Sequence, residues 1–215
     1  MTRINLDDSS LIAPTAGIIR NVCVYCGSAQ GAEPIYIEAA AQLGRILAAA
    51  HIGLVYGGGN TGLMGAIARS TLAHGGFVTG IIPQFLTDRE VALETAQDLI
   101  VVPDMHTRKR LMFEKADAFV ALPGGIGTLE ELVEQLTWVQ LERHTKPVLL
   151  ADIGAFWRPL LDLFEHMRER RFIQTSFEVR YLVAEAVEDI LPMLETAAER
   201  TAILGRAKTQ VDPRL

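Results

Sequence analysis

The chain has 215 residues, 49% of them apolar and 21% charged, a composition typical of one globular domain with its own core. No apolar run reaches the roughly 18–20 residues of a membrane helix, and residues 1–17 lack the pattern of a secretory signal. The net charge of −6 argues against a nucleic-acid-binding surface. We therefore expect a cytoplasmic protein with neither nucleic acid nor membrane as a partner.

Strand and helix patterns alternate along the chain. Short runs rich in Val, Ile and Leu predict strands at 21–26, 53–56, 77–82, 98–102, 118–122, 147–150 and, more weakly, 181–184. Helical patterns cover 34–50, 62–74, 105–116, 128–141, 156–170 and 187–199, with at most a short turn of helix after Pro83. This alternation predicts an α/β fold in which helices cover both faces of a doubly wound parallel sheet of about six or seven strands. We expect a single domain over residues 18–200, with poorly ordered tails at 1–17 and 201–215.

The first predicted strand carries the two cysteines of the chain, Cys23 and Cys26, in a C-x-x-C spacing. This spacing is found in redox sites, but residues three apart in a strand point to opposite faces. The two thiols therefore cannot bridge, and we interpret them as structural cysteines in a reducing compartment. The five histidines show no metal-ligand spacing, so we expect no metal site.

Four segments with unusual residues each follow a predicted strand. They are Gly27-Ser28, the glycine-rich segment 57–62, the basic segment 105–109 and the segment 123–131. In open α/β sheets, ligands bind beyond the carboxyl ends of the strands, near the point where the strand order reverses. We therefore expect these four segments to share one site.

The segment 57–62 fits G-x-G-x-x-G between a strand and a helix. A dinucleotide site also needs an acidic residue at the end of the next strand, where this chain has Pro83 and Gln84. No Gly-Lys-Ser/Thr occurs, which excludes a Walker P-loop. We therefore predict that this loop contacts a nucleotide other than NAD, although some of its glycines serve helix–sheet packing. Met64, just beyond it, is predicted to be a core residue.

The segment 118–131 is the most informative part of the sequence. An apolar strand ends at Pro123, three glycines follow, and a helix pattern begins at Thr128. A glycine turn at a helix N-terminus binds anions, because its N–H groups converge and the helix dipole favours negative charge. We therefore predict that a phosphorylated ligand binds there.

Glu131 has two interpretations. Thr128 and Glu131 fit a capping box, in which Glu131 bonds back to the Thr128 N–H. Alternatively, Glu131 and Glu134 share the helix face opposite an apolar stripe and act on a ribose or a reacting centre. The stripe consists of Leu129, Leu132, Val133 and Leu136. These residues alone leave both interpretations open.

Arg108 shares a predicted helix face with Met105, Met112 and Ala116, so it interrupts an apolar stripe. It is either a surface residue with a buried stem or a cation directed at the ligand. The cluster Arg108-Lys109-Arg110 is the densest positive charge near the expected site, which favours a functional role for Arg108.

These motifs together resemble the LOG ("lonely guy") family of cytokinin riboside 5′-monophosphate phosphoribohydrolases, some of which carry older labels as lysine decarboxylases. The resemblance covers about residues 21–173. It is carried by Val24-Tyr25-Cys26-Gly27-Ser28, Val55-Tyr56-Gly57-Gly58-Gly59, Gly62-Leu63-Met64-Gly65, Met105-His106-Thr107-Arg108-Lys109 and Leu122-Pro123-Gly124-Gly125-Ile126-Gly127-Thr128-Leu129-Glu130-Glu131.

The resemblance implies a Rossmann-like fold, a homodimer and hydrolysis of the N-glycosidic bond of adenine or N6-substituted adenine nucleoside 5′-monophosphates, with no cofactor and no metal. It implies Arg108 and Glu131 as the catalytic pair. The residues predicted to bind substrate or phosphate are Ser28, Gly58, Gly59, Met105, Lys109, Gly124, Gly125, Gly127, Thr128 and Glu134. Ile126 stands where plant members carry Tyr, and Thr107 where Glu or Gln is common, so preference for the N6 substituent stays open.

Two other functions are considered. A nucleotide- or cofactor-binding carrier could use the same pocket without turnover, since related folds serve that purpose. A lysine decarboxylase would need a Schiff-base lysine. Of Lys109, Lys115, Lys146 and Lys208, only Lys109 approaches the expected site, and nothing in its sequence context marks it for that role.

Overall fold

The protein is described from a computed structural model covering residues 19–87, 96–173 and 179–209. Seven strands form one all-parallel sheet in the order β4-β3-β2-β1-β5-β6-β7. Their bounds are β1 Asn21–Tyr25, β2 Gly53–Tyr56, β3 Val78–Pro83, β4 Asp98–Val102, β5 Ala118–Ala121, β6 Val148–Ala151 and β7 Leu182–Ala184. The predicted doubly wound α/β fold is confirmed.

Six helices lie in the described part of the chain, five of them between strands and the last after β7. They are α1 Pro34–Ala49, α2 Gly62–Ala73, α3 Met105–Lys115, α4 Ile126–Gln140, α5 Arg158–Glu169 and α6 Val187–Thr209. Short 3₁₀ turns occupy Gln84–Leu86 and Ile153–Ala155. None of the helices in these ranges has both the length and the apolar character needed to cross a membrane.

The sheet is buried on both faces, which explains why its central strands read as continuous apolar runs. On one face, side chains of α1, α2 and α6 such as Leu43, Ile67 and Leu194 pack against the sheet. On the other face, Met112 of α3 and Leu132 of α4 are fully buried. Burial on both faces fixes the sheet between two helix layers.

Cys23 and Cys26 lie on opposite faces of the sheet, as predicted. Cys23 packs with the α3 and α4 side, whereas Cys26 packs with the α1 and α2 side, and both thiols are buried and form no disulfide. Burial, reinforced by the nearby charge of Glu131, raises the pKa of the Cys23 thiol far above its ordinary value. Cys23 therefore stays a neutral, unreactive thiol.

Most predicted element bounds agree with the structure to within one residue. Two helix starts are exceptions, because α4 begins two residues before Thr128 and α5 begins two residues after Phe156. The last helix continues to Thr209, beyond the predicted domain end at residue 200. The predicted tail 1–17 and residues 210–215 lie outside the described residues, as do residues 88–95 beyond the 3₁₀ turn after Pro83. The domain bounds therefore stay a prediction.

Candidate active site

A cleft of about 260 Å³ opens at the carboxyl ends of the central strands. It lies where the strand order reverses between β1 and β5, the place where parallel α/β sheets bind ligands. All four segments singled out in the sequence contribute to its wall. The lining comprises Val24, Tyr25, Cys26, Gly27, Ser28, Gly57, Met64, Met105, Arg108, Met112, Gly125, Ile126, Gly127, Thr128, Glu130 and Glu131.

The start of α4 forms one wall of this cleft. Gly125 is the N-cap residue, and no side chain caps the helix. Gly125, Ile126 and Gly127 are exposed, and a side chain added at either glycine would meet nothing within 4 Å. The first N–H groups of a helix have no acceptor within it, so those of α4 are available to an anion in the cleft.

The capping box predicted for Thr128 and Glu131 is wrong. Because α4 begins at Ile126, Thr128 is the third helical residue rather than the cap, and its side chain is buried against Gly124. Gly124 is tightly enclosed, since a Cβ there would collide with Thr128 Oγ1 and approach the Gly27 nitrogen within 2.9 Å. The Gly27 N–H also donates to the Pro123 carbonyl at 3.0 Å. These contacts fasten the loop before α4 to the loop after β1.

Glu131 lies on the buried face of α4, which corrects the predicted stripe. That face consists of Thr128, Glu131, Leu132, Gln135 and Leu136, whereas Val133 is 40% exposed. Glu131 itself is only 8% exposed, so the helix directs a carboxylate inward among apolar residues. Buried carboxylates need compensating partners, which makes the neighbour of Glu131 informative.

That neighbour is Arg108 of α3. Its Nη1 lies 3.6 Å from Glu131 Oε1, and the residue is 6% exposed. Its Nε donates to the Ile81 carbonyl at 3.1 Å and its Nη2 to the Gly57 carbonyl at 3.3 Å. The guanidinium is therefore held by the ends of β2 and β3 while it faces Glu131, in a geometry that a lysine could not reproduce.

The glycine-rich loop after β2 makes room for this arginine. A Cβ on Gly57 would collide with Arg108 Nη2, and Gly62, at φ +54°, lies directly against the Ser28 backbone. The first N–H groups of α2 are already used, since those of Leu63 and Met64 donate to the Gly27 carbonyl at 3.0 and 3.3 Å. The G-x-G-x-x-G loop therefore mainly serves packing, and the α4 N-terminus is the helix start that remains open to a ligand.

Lys109 points away from Arg108 toward the outer side of α4. Its Nζ bonds to Glu130 and, at 3.1 Å, to Glu134. Burial alone would lower the pKa of Lys109, but the two carboxylates outweigh it and the pKa is raised. Lys109 therefore stays protonated.

Tyr25, at the end of β1, completes the floor of the cleft. Its ring is nearly parallel to that of Phe119 at a centroid distance of 6.0 Å and is almost fully buried. Burial raises its pKa well above the ordinary value, and the nearby charge of Glu131 raises it further. The hydroxyl is thus a neutral group near Glu131.

The predicted site residues divide into two groups. Arg108 and Glu131 come together on the cleft wall with Ser28, Met105, Gly125, Gly127 and Thr128. Gly58, Gly59, Lys109, Gly124 and Glu134 are not among the lining residues. Gly58, at φ +81°, packs against Ile81 and Ile82 instead.

Some lining residues were not predicted. Met64 was assigned to the core, and it is both a core residue and part of the cleft wall. Cys26, Ile126 and Glu130 also line the cleft. Their positions directly beside the predicted segments were the only signal that could have identified them. Within the described ranges, no cluster of three His, Cys, Asp or Glu side chains could hold a metal ion.

A cleft of this kind combines an anion site with a buried acid. The open helix start suits a phosphate, and Glu131 suits a centre that develops positive charge nearby. The guanidinium of Arg108, 3.6 Å away, is the oppositely charged partner of this buried carboxylate. A substrate that carries both a phosphate and a carbon that develops positive charge during the reaction would fit this chemistry.

Comparisons with known proteins agree on the family. Residues 64–194 match a family model described as "Possible lysine decarboxylase". The chain is 41% identical over 194 residues to the probable cytokinin riboside 5′-monophosphate phosphoribohydrolase LOGL2 of Oryza sativa subsp. japonica, spanning 90% of this chain and 80% of the relative. It is 42% identical over 179 residues to the cytokinin riboside 5′-monophosphate phosphoribohydrolase LOG3 of Arabidopsis thaliana, spanning 83% of each.

Solved structures resemble the fold. The molybdenum cofactor binding protein of Rippkaea orientalis matches 82% of this chain and 95% of its own, with a TM-score of 0.62 and 22% identity. The Moco carrier protein of Chlamydomonas reinhardtii matches 84% of this chain and 98% of its own, with a TM-score of 0.62 and 18% identity. At these identities the likeness concerns the fold alone.

Proposed function

The chain belongs to the LOG family, and from this premise we propose that it hydrolyses the N-glycosidic bond of adenine or N6-substituted adenine nucleoside 5′-monophosphates. Water adds to C1′ of the ribose, the C1′–N9 bond breaks, and the products are free base and ribose 5-phosphate. The observation that carries the proposal is the buried contact between Arg108 and Glu131 beside the open start of α4.

Glu131 acts at the reacting carbon. Glycosidic bonds break through an oxocarbenium-like transition state, which a nearby carboxylate stabilises or supplies with an activated water. The burial of Glu131 strengthens this interaction, because charges attract more strongly where water is excluded. We assign Glu131 to the ribose C1′ or to the attacking water.

Arg108 holds Glu131 in place. The contacts of its guanidinium with the Gly57 and Ile81 carbonyls and with Glu131 leave it poorly placed to bind the 5′-phosphate. That phosphate instead docks on the N–H groups at the start of α4, beside Gly125, Gly127 and Thr128. Ser28 and Met105, on the cleft wall, contact the sugar or the base.

The name of the matching family model does not describe this site. A decarboxylase that forms a Schiff base needs a lysine whose pKa is lowered, so that the amine is a nucleophile. Lys109, the lysine beside the cleft, has a raised pKa and is bound by two carboxylates. A carrier, in turn, would have no need for a buried acid held by a guanidinium.

The family resemblance and the chemistry of the chain extend the proposal to the compartment, the oligomeric state and the substrate of the protein. We propose a cytoplasmic homodimer that uses AMP or its N6-substituted derivatives and needs no cofactor. Two buried cysteines that form no disulfide are consistent with a reducing compartment.

A substrate panel tests the proposed function. Purified protein is incubated with AMP, N6-isopentenyladenosine 5′-monophosphate, GMP and adenosine, and free base is quantified by chromatography. We expect base from the adenine nucleotides and almost none from adenosine, because adenosine lacks the phosphate that docks on α4. Equal release from adenosine and AMP, or no release from any nucleotide, would contradict the proposal.

A further inference from the structure

Two consecutive cations of α3 meet acids of α4. Arg108 faces Glu131 inside the cleft wall, and Lys109 bonds to Glu130 and Glu134 on the outer side. The Lys109 side chain is only 13% exposed, so water screens its contacts far less than those of a surface pair. The two helices that carry the proposed catalytic pair are thus joined by an inner and an outer bridge.

We propose that Lys109 is a positioning residue that clamps the start of α4, rather than a ligand of the substrate phosphate. This inference rests on the proposed function, since the group positioned is Glu131. The clamp keeps Glu131 against Arg108 and keeps the first N–H groups of α4 directed into the cleft.

The start of α4 needs a clamp because its own sequence stabilises it poorly. Glycine lies at its N-cap and at its second helical position, no side chain caps it, and Ile126 between the glycines is 82% exposed. Glycine favours the unfolded chain, so Gly127 in the first turn weakens a helix start that no side chain caps. A contact from a neighbouring element would offset that tendency.

Lys109 is well placed to provide this contact. Glu130 and Glu134 are one helical turn apart on α4, where two like charges repel each other. One ammonium group bonded to both removes that repulsion and links two successive turns to α3. Glu130 also lines the cleft, so neutralising it reduces repulsion of an incoming phosphate.

The test compares Lys109→Met with Lys115→Met, a matched control. Lys115 lies on the same helix and pairs with Asp98 at 3.7 Å, away from the cleft. We expect Lys109→Met to lower kcat about 10- to 100-fold through misplacement of Glu131, with a much smaller rise in KM and in the Kd of ribose 5-phosphate. Lys109→Arg should restore most of kcat, because a guanidinium can also bridge two carboxylates. Lys115→Met should behave as the wild type.

Amide hydrogen exchange gives a second readout that needs no enzymatic activity. Exchange over residues 129–134, whose N–H groups donate within α4 beginning with Leu129 to Gly125, should accelerate in Lys109→Met and in Glu134→Gln, but not in Lys115→Met. If the wild type releases no base, the proposed function fails while this readout still decides the clamp. Unchanged exchange would overturn the inference, and so would a Lys109→Met variant that raises KM and the Kd of ribose 5-phosphate while keeping kcat.

Discussion

At the scale of single residues, the site depends on one arginine that contacts three separate segments of the chain. Arg108 bonds to the carbonyl ends of β2 and β3 and faces a carboxylate from α4. A guanidinium can contact these partners at the same time because its donors form a rigid planar fork. Gly57 has no side chain, and its position explains why, since a Cβ there would occupy the space of Arg108 Nη2.

His144 illustrates how one half-buried residue contributes to stability toward acid. Its ring lies 5.2 Å from that of Phe113, and its Nδ1 accepts a hydrogen bond from the Lys146 N–H at 3.2 Å. Burial, followed by the charge of Lys146, lowers its pKa from the ordinary value of 6.5. The unfolded chain therefore binds a proton at His144 at a higher pH than the folded protein does.

We predict that the free energy of unfolding falls as the pH decreases through the ordinary histidine pKa of 6.5, partly through His144. Below the unfolded pKa of 6.5, protonation favours the unfolded chain, and the loss continues until the folded pKa is passed. In His144→Asn this decline should be smaller. The exposed His51 serves as the control, through His51→Asn. Urea titrations at several pH values measure the effect, and parallel curves for wild type and His144→Asn would refute it.

At the scale of elements, the start of α4 combines an enclosed glycine with two open ones. Gly124 is packed against Thr128 and the loop after β1, whereas Gly125 and Gly127 face empty space. The same glycine-rich sequence thus serves close packing at its beginning and access for a ligand at its end. Sequence alone could not separate these two functions.

We predict opposite effects for two alanine substitutions there. Gly127→Ala should leave folding intact or stabilise it by up to about 1 kcal/mol, since alanine favours a helix, but its methyl group should hinder the phosphate and raise KM. Gly124→Ala should destabilise the protein by about 1–3 kcal/mol through overpacking. Thermal unfolding and steady-state kinetics of both variants test this pair. A Gly127→Ala variant with unchanged KM would show that the phosphate does not dock at the start of α4.

At the scale of the whole molecule, chain topology creates the site. The chain winds outward from β1 to β4 and returns to β5 beside β1, so loops distant in sequence converge at one edge. This convergence was predictable, because each unusual segment directly follows an apolar run such as 118–122. The fold and the meeting of Arg108 with Glu131 could therefore be predicted from the sequence.

The features that could not be predicted from the sequence depend on where single helices begin and how they are rotated. Because α4 begins at Ile126 rather than Thr128, the capping role of Glu131 disappears and its carboxylate turns inward. Helix patterns locate an apolar face only approximately, which is why Val133 was wrongly placed on it. The pairing of Lys109 with α4 depends on how two helices lie across the sheet, which no local pattern encodes.

The most direct test of the central claim is base release from AMP by the wild type and by Glu131→Gln under single-turnover conditions. The amide keeps the shape of the side chain but removes its charge, so the oxocarbenium-like transition state loses its stabilisation. We predict equal amounts of adenine and ribose 5-phosphate from the wild type, and release about 10²- to 10³-fold slower from the variant, with AMP affinity retained. Release from Glu131→Gln at the wild-type rate would contradict the assignment of this buried carboxylate as the catalytic group.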